Sequence, residues 1–178
     1  MLMGNKVLLR PIRRSDLVSF LKWFNDREVT QYLSIYIPMT EMAEEKFIDG
    51  LGNNNGTDVQ FIIEAVEDDK NKPIGTIALH AISPKDHFAA FGIVIGEKDY
   101  WGKGHGTEAA RLMTKCGFEQ LNLHRIYSNV YSFNERSIRM HKSVGFKEEG
   151  RERQKAFING QYYDDIFFGL LRNEWRGL

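Results

Sequence analysis

The segment from Phe91 to Glu108 constrains the fold more than any other part of the 178-residue sequence. An apolar strand, Phe91-Gly92-Ile93-Val94-Ile95, leads through a short spacer into Trp101-Gly102-Lys103-Gly104-His105-Gly106-Thr107, where an amphipathic helix begins. Glycine permits tight turns with positive φ, and a helix N-terminus adds partial positive charge. Alternating glycines between a strand and a helix therefore predict a cradle of backbone N–H groups for a phosphate or pyrophosphate, to which Lys103 adds a formal charge.

The remaining sequence surrounds this unit with short strands and helices. Alternating apolar runs predict strands at Lys6–Ile12, Val59–Glu67, Pro73–Ile82, Phe88–Ile95, Arg125–Tyr131, Phe146–Phe157 and Gln161–Leu171. Helical spacing predicts helices from Ser15 or Asp16 to Phe24, at Thr40–Leu51, at Thr107–Leu121 and at Glu135–Val144, with turns at Gly50–Thr57 and Asn159-Gly160. This order predicts one mixed α/β domain, residues 1–178, with a mostly antiparallel sheet and one strand–helix–strand unit.

Other interpretations of the glycine loop fit less well. A plain glycine turn before a helix stays open, but three alternating glycines between a strand and a helix favour a phosphate site over it. Gly104–Ala109 satisfies the G-x-G-x-x-A pattern of dinucleotide-binding domains, but that fold needs repeated parallel βαβ units and an acidic residue after the next strand. Here the next strand ends in Tyr131-Ser132-Phe133-Asn134. A Walker A loop would end in Gly-Lys-Ser/Thr, which is absent. A nucleotide-binding oxidoreductase stays as an alternative.

The strand and loop are similar to the acetyl-CoA motif of the GNAT superfamily of N-acetyltransferases, Gln/Arg-x-x-Gly-x-Gly/Ala. Gly104 and Gly106 match this motif, and Trp101 stands where Gln or Arg is usual. Further matches follow in the family's order. The first strand and the start of the first helix match at Leu9–Pro11 and Asp16-Leu17, and the segments Trp23–Asp26 and Val29–Tyr32 are similar to the ribosomal-protein N-terminal acetyltransferases. The last cofactor-contacting segment of the family matches at Asn134–Ser137 and His141–Phe146. Near the C-terminus, Phe157–Tyr162 is similar to the spermidine N-acetyltransferases.

The resemblance implies a GNAT-type domain with a central, mostly antiparallel, splayed sheet flanked by helices, and acetyl-CoA as co-substrate. It assigns pantetheine to Ile93, Val94 and Ile95, the pyrophosphate to Trp101, Gly102, Lys103, Gly104, His105, Gly106 and Thr107, and the far side of the cofactor to Asn134 and Ser137. Gly92 is expected at a bulge that splays its strand from Arg125–Tyr131. On its own, Gly92 would be interpreted as a packing glycine.

The chemistry implied by the family is attack of a neutral amine on the thioester. Many relatives carry a tyrosine acid four residues before the last glycine of this segment, and His141 occupies that position. His141 is therefore predicted as the catalytic acid, with a polar helix residue of no chemical role as an equal alternative. Ala90 replaces the glutamate base of some relatives. The base stays open among Glu28, Tyr32, Glu64, His80, the pair Asp164-Asp165 and a water chain.

Glu28 and Tyr32 are expected to contact the acceptor. The sequence leaves that acceptor open among the N-terminus of a protein or peptide, a polyamine, and an amino sugar or similar small amine. Leu33–Met39 is apolar where the spermidine enzymes carry acidic residues, which disfavours a polyamine. Because Ala90 and His141 stand where relatives carry a catalytic Glu and Tyr, a non-catalytic acyl-CoA-binding module is also an alternative function.

The composition restricts the classes of binding partner that are expected for this chain. Lys and Arg together number 24, as do Asp and Glu, so the formal net charge is zero, and a nucleic-acid or anionic-membrane surface is not expected. A single cysteine, Cys116, and five histidines without ligand spacing predict neither a disulfide nor a metal site. With no signal-peptide pattern and no membrane-spanning run, we expect a cytoplasmic protein. A homodimer is common among relatives, but this sequence does not show one.

Overall fold

The computed structural model describes residues 1–51, 56–68 and 70–177. Its strands are β1 (Leu2–Met3), β2 (Val7–Arg10), β3 (Val59–Ala65), β4 (Lys72–His80), β5 (Phe88–Ile95), β6 (Arg125–Tyr131), β7 (Lys147–Ile158) and β8 (Gln161–Leu171). Its α-helices are α1 (Leu17–Phe24), α2 (Arg27–Thr30), α3 (Glu41–Gly50), α4 (His105–Lys115) and α5 (Glu135–Val144). A 3-10 turn, Arg14–Asp16, precedes α1, and a π-helical turn, Cys116–Gln120, extends α4.

These bounds agree closely with the sequence patterns. β5, β6 and α5 begin and end where predicted, and Asn159 and Gly160 adopt the positive φ values, 49° and 85°, of a tight hairpin turn. Helix α4 begins two residues early because Gly104 caps it. The sequence pattern does not reveal β1 and α2, which are too short to show a period. The predicted turn at Gly50–Thr57 lies partly outside the described residues.

In the described part of the chain, one sheet of eight strands has the order β1-β2-β3-β4-β5-β6-β8-β7. Neighbouring strands are antiparallel except β5 and β6, which are parallel. Helix α4 connects that parallel pair, as a crossover between parallel strands requires. The predicted mostly antiparallel sheet with one strand–helix–strand unit is confirmed.

The sheet splits between β5 and β6. Their pairing stops at Ala90 and Tyr127, although β5 continues beside β4 to Ile95 and β6 continues beside β8. The predicted bulge at Gly92 is wrong, because Gly92 pairs with Ala78 in a continuous β4–β5 register. Each strand instead stays paired with its outer neighbour, so the two half-sheets diverge and leave a gap.

Alternate residues of the sheet enter two separate cores on its opposite faces. Ile63, Ile77 and Phe91 belong to the core that α4 contributes to through Met113. Ile62 instead packs with Phe20 and Trp23 of α1 and with Ile48 of α3. We call these two sides the α4 face and the α1 face. Successive residues of a strand point to opposite faces of the sheet. The position of a residue along its strand therefore shows whether its side chain lies on the α4 face or on the α1 face.

A buried ion pair joins α1 to the sheet. Arg10 of β2 donates to both carboxylate oxygens of Asp16 at 2.7 Å and to Glu64 Oε1 at 2.6 Å, and Arg10 and Asp16 are each 3% exposed. Asp16 also accepts the backbone N–H of Arg13 at 2.7 Å, so its carboxylate does not cap α1 as predicted. Burial alone would raise the pKa of Asp16, but the hydrogen bonds from Arg10 and Arg13 lower it.

Replacing Asp16 by Asn should therefore lower the free energy of unfolding by about 3 to 5 kcal/mol, since it leaves Arg10 buried and only partly paired. Urea unfolding at pH 7 measures the change. Asp49→Asn is the matched control, because the Arg14–Asp49 pair is exposed and such pairs contribute about 0 to 1 kcal/mol. Because the folded pKa of Asp16 is lowered, its advantage is present above about pH 4 and is lost at lower pH. Equal losses in both variants would contradict this assignment.

Candidate functional site

A cleft of about 940 Å³ is lined from both faces of the sheet across the gap between β5 and β6. Its α4 side includes Phe91, Ile93, Ile95, Gly102, Gly104, Gly106, Thr107, Asn134, Ser137 and His141. Its α1 side includes Phe20, Phe24, Glu44, Phe47, Gln60, Thr76, Ala78, Gly92 and Val94. The split in the sheet thus lets two molecules reach the same point from opposite faces.

The free edge of β5 presents backbone groups to this cleft. Gly96 N–H donates to the carbonyl of Ile74 on β4. Because the direction of backbone groups alternates along an antiparallel strand, Ile93 and Ile95 direct theirs toward the gap. The Ile95 carbonyl accepts a hydrogen bond from Trp101 Nε1 at 2.6 Å, whereas Ile93 lies beyond the last β5–β6 pair. Ile93 therefore offers a donor and an acceptor to an extended ligand.

The glycine loop has the backbone conformation expected of an anion cradle. Gly102 and Gly104 have φ values of 73° and 90°, a left-handed conformation that a Cβ disfavours. Gly104 ends the loop as the N-cap of α4. The first N–H groups of a helix have no acceptor within it, and Gly106 and Thr107 line the cleft at this position. Backbone donors and the helix dipole together favour a phosphate here.

Two loop residues predicted to bind the cofactor are not among the lining residues. The Lys103 carbonyl accepts a hydrogen bond from Lys6 Nζ at 3.0 Å, and Lys103 does not line the cleft. The His105 ring lies against Tyr100, with ring centroids 5.1 Å apart. The structure gives a different cation at this position, Arg136, whose guanidinium lies 4.2 Å from the centroid of the Trp101 ring.

Trp101 and Arg136 form a cation–π contact. Arg136 also donates to the hydroxyl of Tyr32 at 3.1 Å, and all three residues line the cleft. Tryptophan thus replaces the family's usual Gln or Arg with an aromatic platform for a guanidinium. From the sequence, Arg136 is one of five basic residues on the two helices that flank the proposed site, together with Arg111, Lys115, Arg139 and Lys142. One or two of them were candidates for a phosphate of CoA, but a solvated position was the preferred prediction for each.

His141 lies deep in the cleft. Its ring is 1% exposed and packs among Phe91, Phe146 and Phe168 at centroid distances of 5.1 to 5.6 Å. Nδ1 lies 2.8 Å from the carbonyl of Ser137, and a carbonyl only accepts, so Nδ1 carries the hydrogen. Nε2 is then unprotonated, and it has no partner among the described residues.

Burial lowers the pKa of His141 to about 4, although the Ser137 carbonyl acts in the opposite direction. At neutral pH the imidazole is therefore uncharged, and its hydrogen points into its own helix. Both facts oppose the predicted role of His141 as the acid.

The other predicted residues divide between cleft and surface. Asn134, Ser137, Tyr32 and His80 line the cleft, and Asn134 Oδ1 caps α5 by accepting Ser137 N–H at 3.2 Å. Glu28 does not line it: the Glu28 side chain is 67% exposed and pairs with Lys98. The remaining base candidates are bound elsewhere: Glu64 to Arg10, Asp164 to the Gln154 N–H and Asp165 to Asn129. Tyr32 and His80 are thus the predicted base candidates that reach the cleft.

Glu44 is a cleft residue that was not predicted from the sequence. This residue of α3 is 2% exposed, lines the cleft, and has one carboxylate oxygen, Oε2, without a partner among the described residues. Burial raises the pKa of its carboxyl group. One signal was available: at helical spacing Glu44 shares the apolar face of α3 with Phe47 and Ile48.

Other site chemistries find little support in the structure. No three His, Cys, Asp or Glu side chains of residues 1–51, 56–68 and 70–177 are grouped so that they could hold a metal ion. Within the same ranges, every helix is too short or too polar to cross a membrane. Cys116 is buried, and burial raises the pKa of its thiol, which disfavours the reactive thiolate.

Residues 6–147 match the family model of the acetyltransferase (GNAT) domain. The chain belongs to the GNAT acetyltransferase family. It is 28% identical to spermidine N(1)-acetyltransferase of Escherichia coli, over 97% of this chain and 89% of that protein. It is 35% identical to YdaF, a ribosomal N-acetyltransferase-like protein of Bacillus subtilis, over 58% of this chain and 56% of YdaF. The crystal structure of Vibrio cholerae spermidine N-acetyltransferase with CoA and spermine superposes with a TM-score of 0.85 at 26% identity, covering 95% and 97% of the two chains.

The GNAT fold and an N-acetyltransferase activity, predicted from the glycine loop and its flanking segments, are thus confirmed. GNAT acetyltransferases use acetyl-CoA, and the Vibrio cholerae relative holds CoA. Transfer of an acetyl group to an amine is therefore the reaction of this family of enzymes.

His141→Phe tests the predicted acid. Phenylalanine preserves the aromatic packing and removes both nitrogens, so kcat should stay within about tenfold of wild type, whereas loss of a general acid costs about 100-fold or more. Wild-type protein should lose up to about 3 kcal/mol of stability relative to the variant between pH 6.5 and 4, because the unfolded chain binds the proton first. A large fall in kcat with unchanged acetyl-CoA affinity would restore the acid role.

Proposed function

We propose that this enzyme binds acetyl-CoA from the α4 face and acetylates a primary amine that enters from the α1 face. The gap between β5 and β6 is the observation that supports this proposal most directly, because it joins both faces at one point. A direct transfer needs both substrates at the same place at once, and their alignment supplies much of the rate.

The α4 side has the groups that acetyl-CoA requires. Pantetheine would pair its amides with the free edge of β5 at Ile93, as a further strand would. The pyrophosphate would lie on the N–H groups of the loop and of α4, at Gly102–Thr107. Arg136 supplies a cation over Trp101, and Asn134 and Ser137 line the far side.

In the reaction, the amine nitrogen attacks the thioester carbonyl and forms a tetrahedral intermediate. Backbone N–H groups at the open edge of β5 would stabilise its oxyanion. The C–S bond then breaks, the amide leaves on the α1 side, and the sulfur takes up the proton released by the amine. His141 is neutral and hydrogen-bonded through Nδ1, so we assign it packing and hydrogen-bond acceptance at Nε2 beside the sulfur, without proton donation.

The acceptor is a peptide N-terminus or a small primary amine. Aromatic and apolar side chains dominate the α1 side of the cleft, including Phe20, Phe24 and the segment Leu33–Ile35. This lining suits an aliphatic chain or a peptide better than a heavily hydroxylated sugar. A polyamine acceptor is supported by the spermine-bound relative from Vibrio cholerae and stays the second candidate.

Thiol release from acetyl-CoA tests the proposal. The purified protein is mixed with acetyl-CoA and with peptides bearing free N-termini, spermidine or amino sugars, and the free thiol is followed with time. We expect turnover with one of these classes, which identifies the acceptor. Saturable acetyl-CoA binding without turnover on any amine would favour the non-catalytic module. Absence of acetyl-CoA binding would refute the assignment of the glycine loop.

Gly104→Ala tests the cradle. A Cβ at this left-handed position costs about 1 to 2 kcal/mol, so it should shift the loop and weaken acetyl-CoA binding about 5- to 30-fold, as measured by calorimetry. Gly160→Ala is the matched control. Gly160 also has a positive φ, 85°, but it lies in the turn between β7 and β8 and is not among the residues that line the cleft. Equal affinities for the two variants would contradict a conformational role for Gly104.

A further inference from the structure

Glu44 is the one carboxylate among the described residues that line the cleft. It is 2% exposed, and its Oε2 has no hydrogen-bond partner among residues 1–51, 56–68 and 70–177. A buried carboxylate without a partner is strongly destabilising. A positively charged group in the cleft would give Oε2 a partner and would stabilise the ionised form of Glu44.

The surroundings of Glu44 suit an organic cation. Phe47 lies one turn further along α3, and Phe20 contacts Phe47 at a centroid distance of 6.0 Å and Phe24 at 5.7 Å. All of these rings line the same cleft. Aromatic faces attract ammonium groups, and a carboxylate beside them supplies the opposite charge.

The cations of the cleft lie on its other side. Arg136 and Arg139, which line it, belong to α5, the helix on the face assigned to the cofactor. The cleft is therefore polarised, with cations beside the expected phosphates and a carboxylate on the acceptor side. This distribution directs a positively charged acceptor to the α1 face.

The position of α3 sets the expected distance between Glu44 and the reacting carbonyl. Ile48 of α3 packs against the core cluster that contains Ile62 of β3, and β3 is two strands away from the open edge of β5. Two strand spacings are about 10 Å. A group bound by Glu44 is therefore separated from the nitrogen that attacks the thioester.

We propose that Glu44 and the rings of Phe20, Phe24 and Phe47 bind a second, non-reacting cationic group of the acceptor. The acceptor is then a primary amine whose other end carries a positive charge about 10 Å away. This inference rests on the proposed function and narrows its acceptor class. A carboxylate that held the reacting amine as an ammonium would oppose attack, whereas one that holds the distal charge positions the free amine.

Matched acceptors test the proposal. Diaminohexane and diaminooctane carry a distal ammonium, which aminohexanol and aminooctanol replace by a hydroxyl. In thiol-release assays the diamines should have a KM about 10- to 100-fold lower, as expected for a charge-assisted hydrogen bond. Glu44→Gln should raise the diamine KM to that of the amino alcohols with little change in kcat. Glu45→Gln, the exposed neighbour on α3, should behave as wild type.

A second comparison, with peptides, tests whether the distal positive charge belongs to a diamine or to a peptide side chain. A short peptide with lysine as its second residue is compared with the same peptide carrying norleucine, and the larger Glu44-dependent preference, diamine or peptide, identifies the natural type of acceptor. Retention of the preference in Glu44→Gln, or its absence in the wild type, would overturn the inference.

Binding separates this inference from the proposed function. Calorimetry of diaminooctane with the CoA-saturated protein needs no turnover, and Glu44→Gln should weaken binding while Glu45→Gln does not. If no amine is acetylated but this difference persists, the transferase proposal fails and the cation site stands. If amines are acetylated and the difference is absent, the cation site fails and the transferase proposal stands.

Discussion

The loss of pairing between β5 and β6 beyond Ala90 and Tyr127 is the constraint on which the functional architecture depends. It leaves Ile93 with backbone groups that no neighbouring strand uses. It also opens the sheet, so that helices on its two faces line one cleft. A fully paired sheet would cover these groups and separate the two faces. In the proposed reaction, the open edge binds the cofactor and connects the two substrates.

Charge is distributed across the cleft in a consistent way. The N-terminus of α4, the glycine loop and Arg136 make the α4 side positive, whereas Glu44 places a carboxylate on the α1 side. His141 of α5 also lines the cleft, and burial keeps its imidazole neutral at physiological pH. In the proposed reaction, the separation of positive and negative groups would orient two oppositely charged substrates before the chemical step begins.

Local sequence patterns predicted most of the fold. The bounds of β5, β6 and α5 follow from apolar periodicity and from turn residues, which act over a few neighbours. The Gly92 bulge was wrong because Gly92 continues its pairing with Ala78 on the neighbouring strand. Asp16 stands at the predicted N-cap position of α1, but its carboxylate binds Arg10 and not the helix. Which acceptor a side chain or backbone group finds depends on how the strands and helices pack, and periodic patterns do not show it.

By itself, the sequence determined the strand–glycine loop–helix unit and the family, because positive-φ glycines and helix starts are local properties. Only the tertiary structure decided which side chains reach the cleft. It left Glu28 on the surface beside Lys98, brought Arg136 over Trp101, and buried Glu44 with no hydrogen-bond partner for Oε2 in the described part of the chain. Burial and long-range proximity set charge state and access, and both arise only when separate elements pack together.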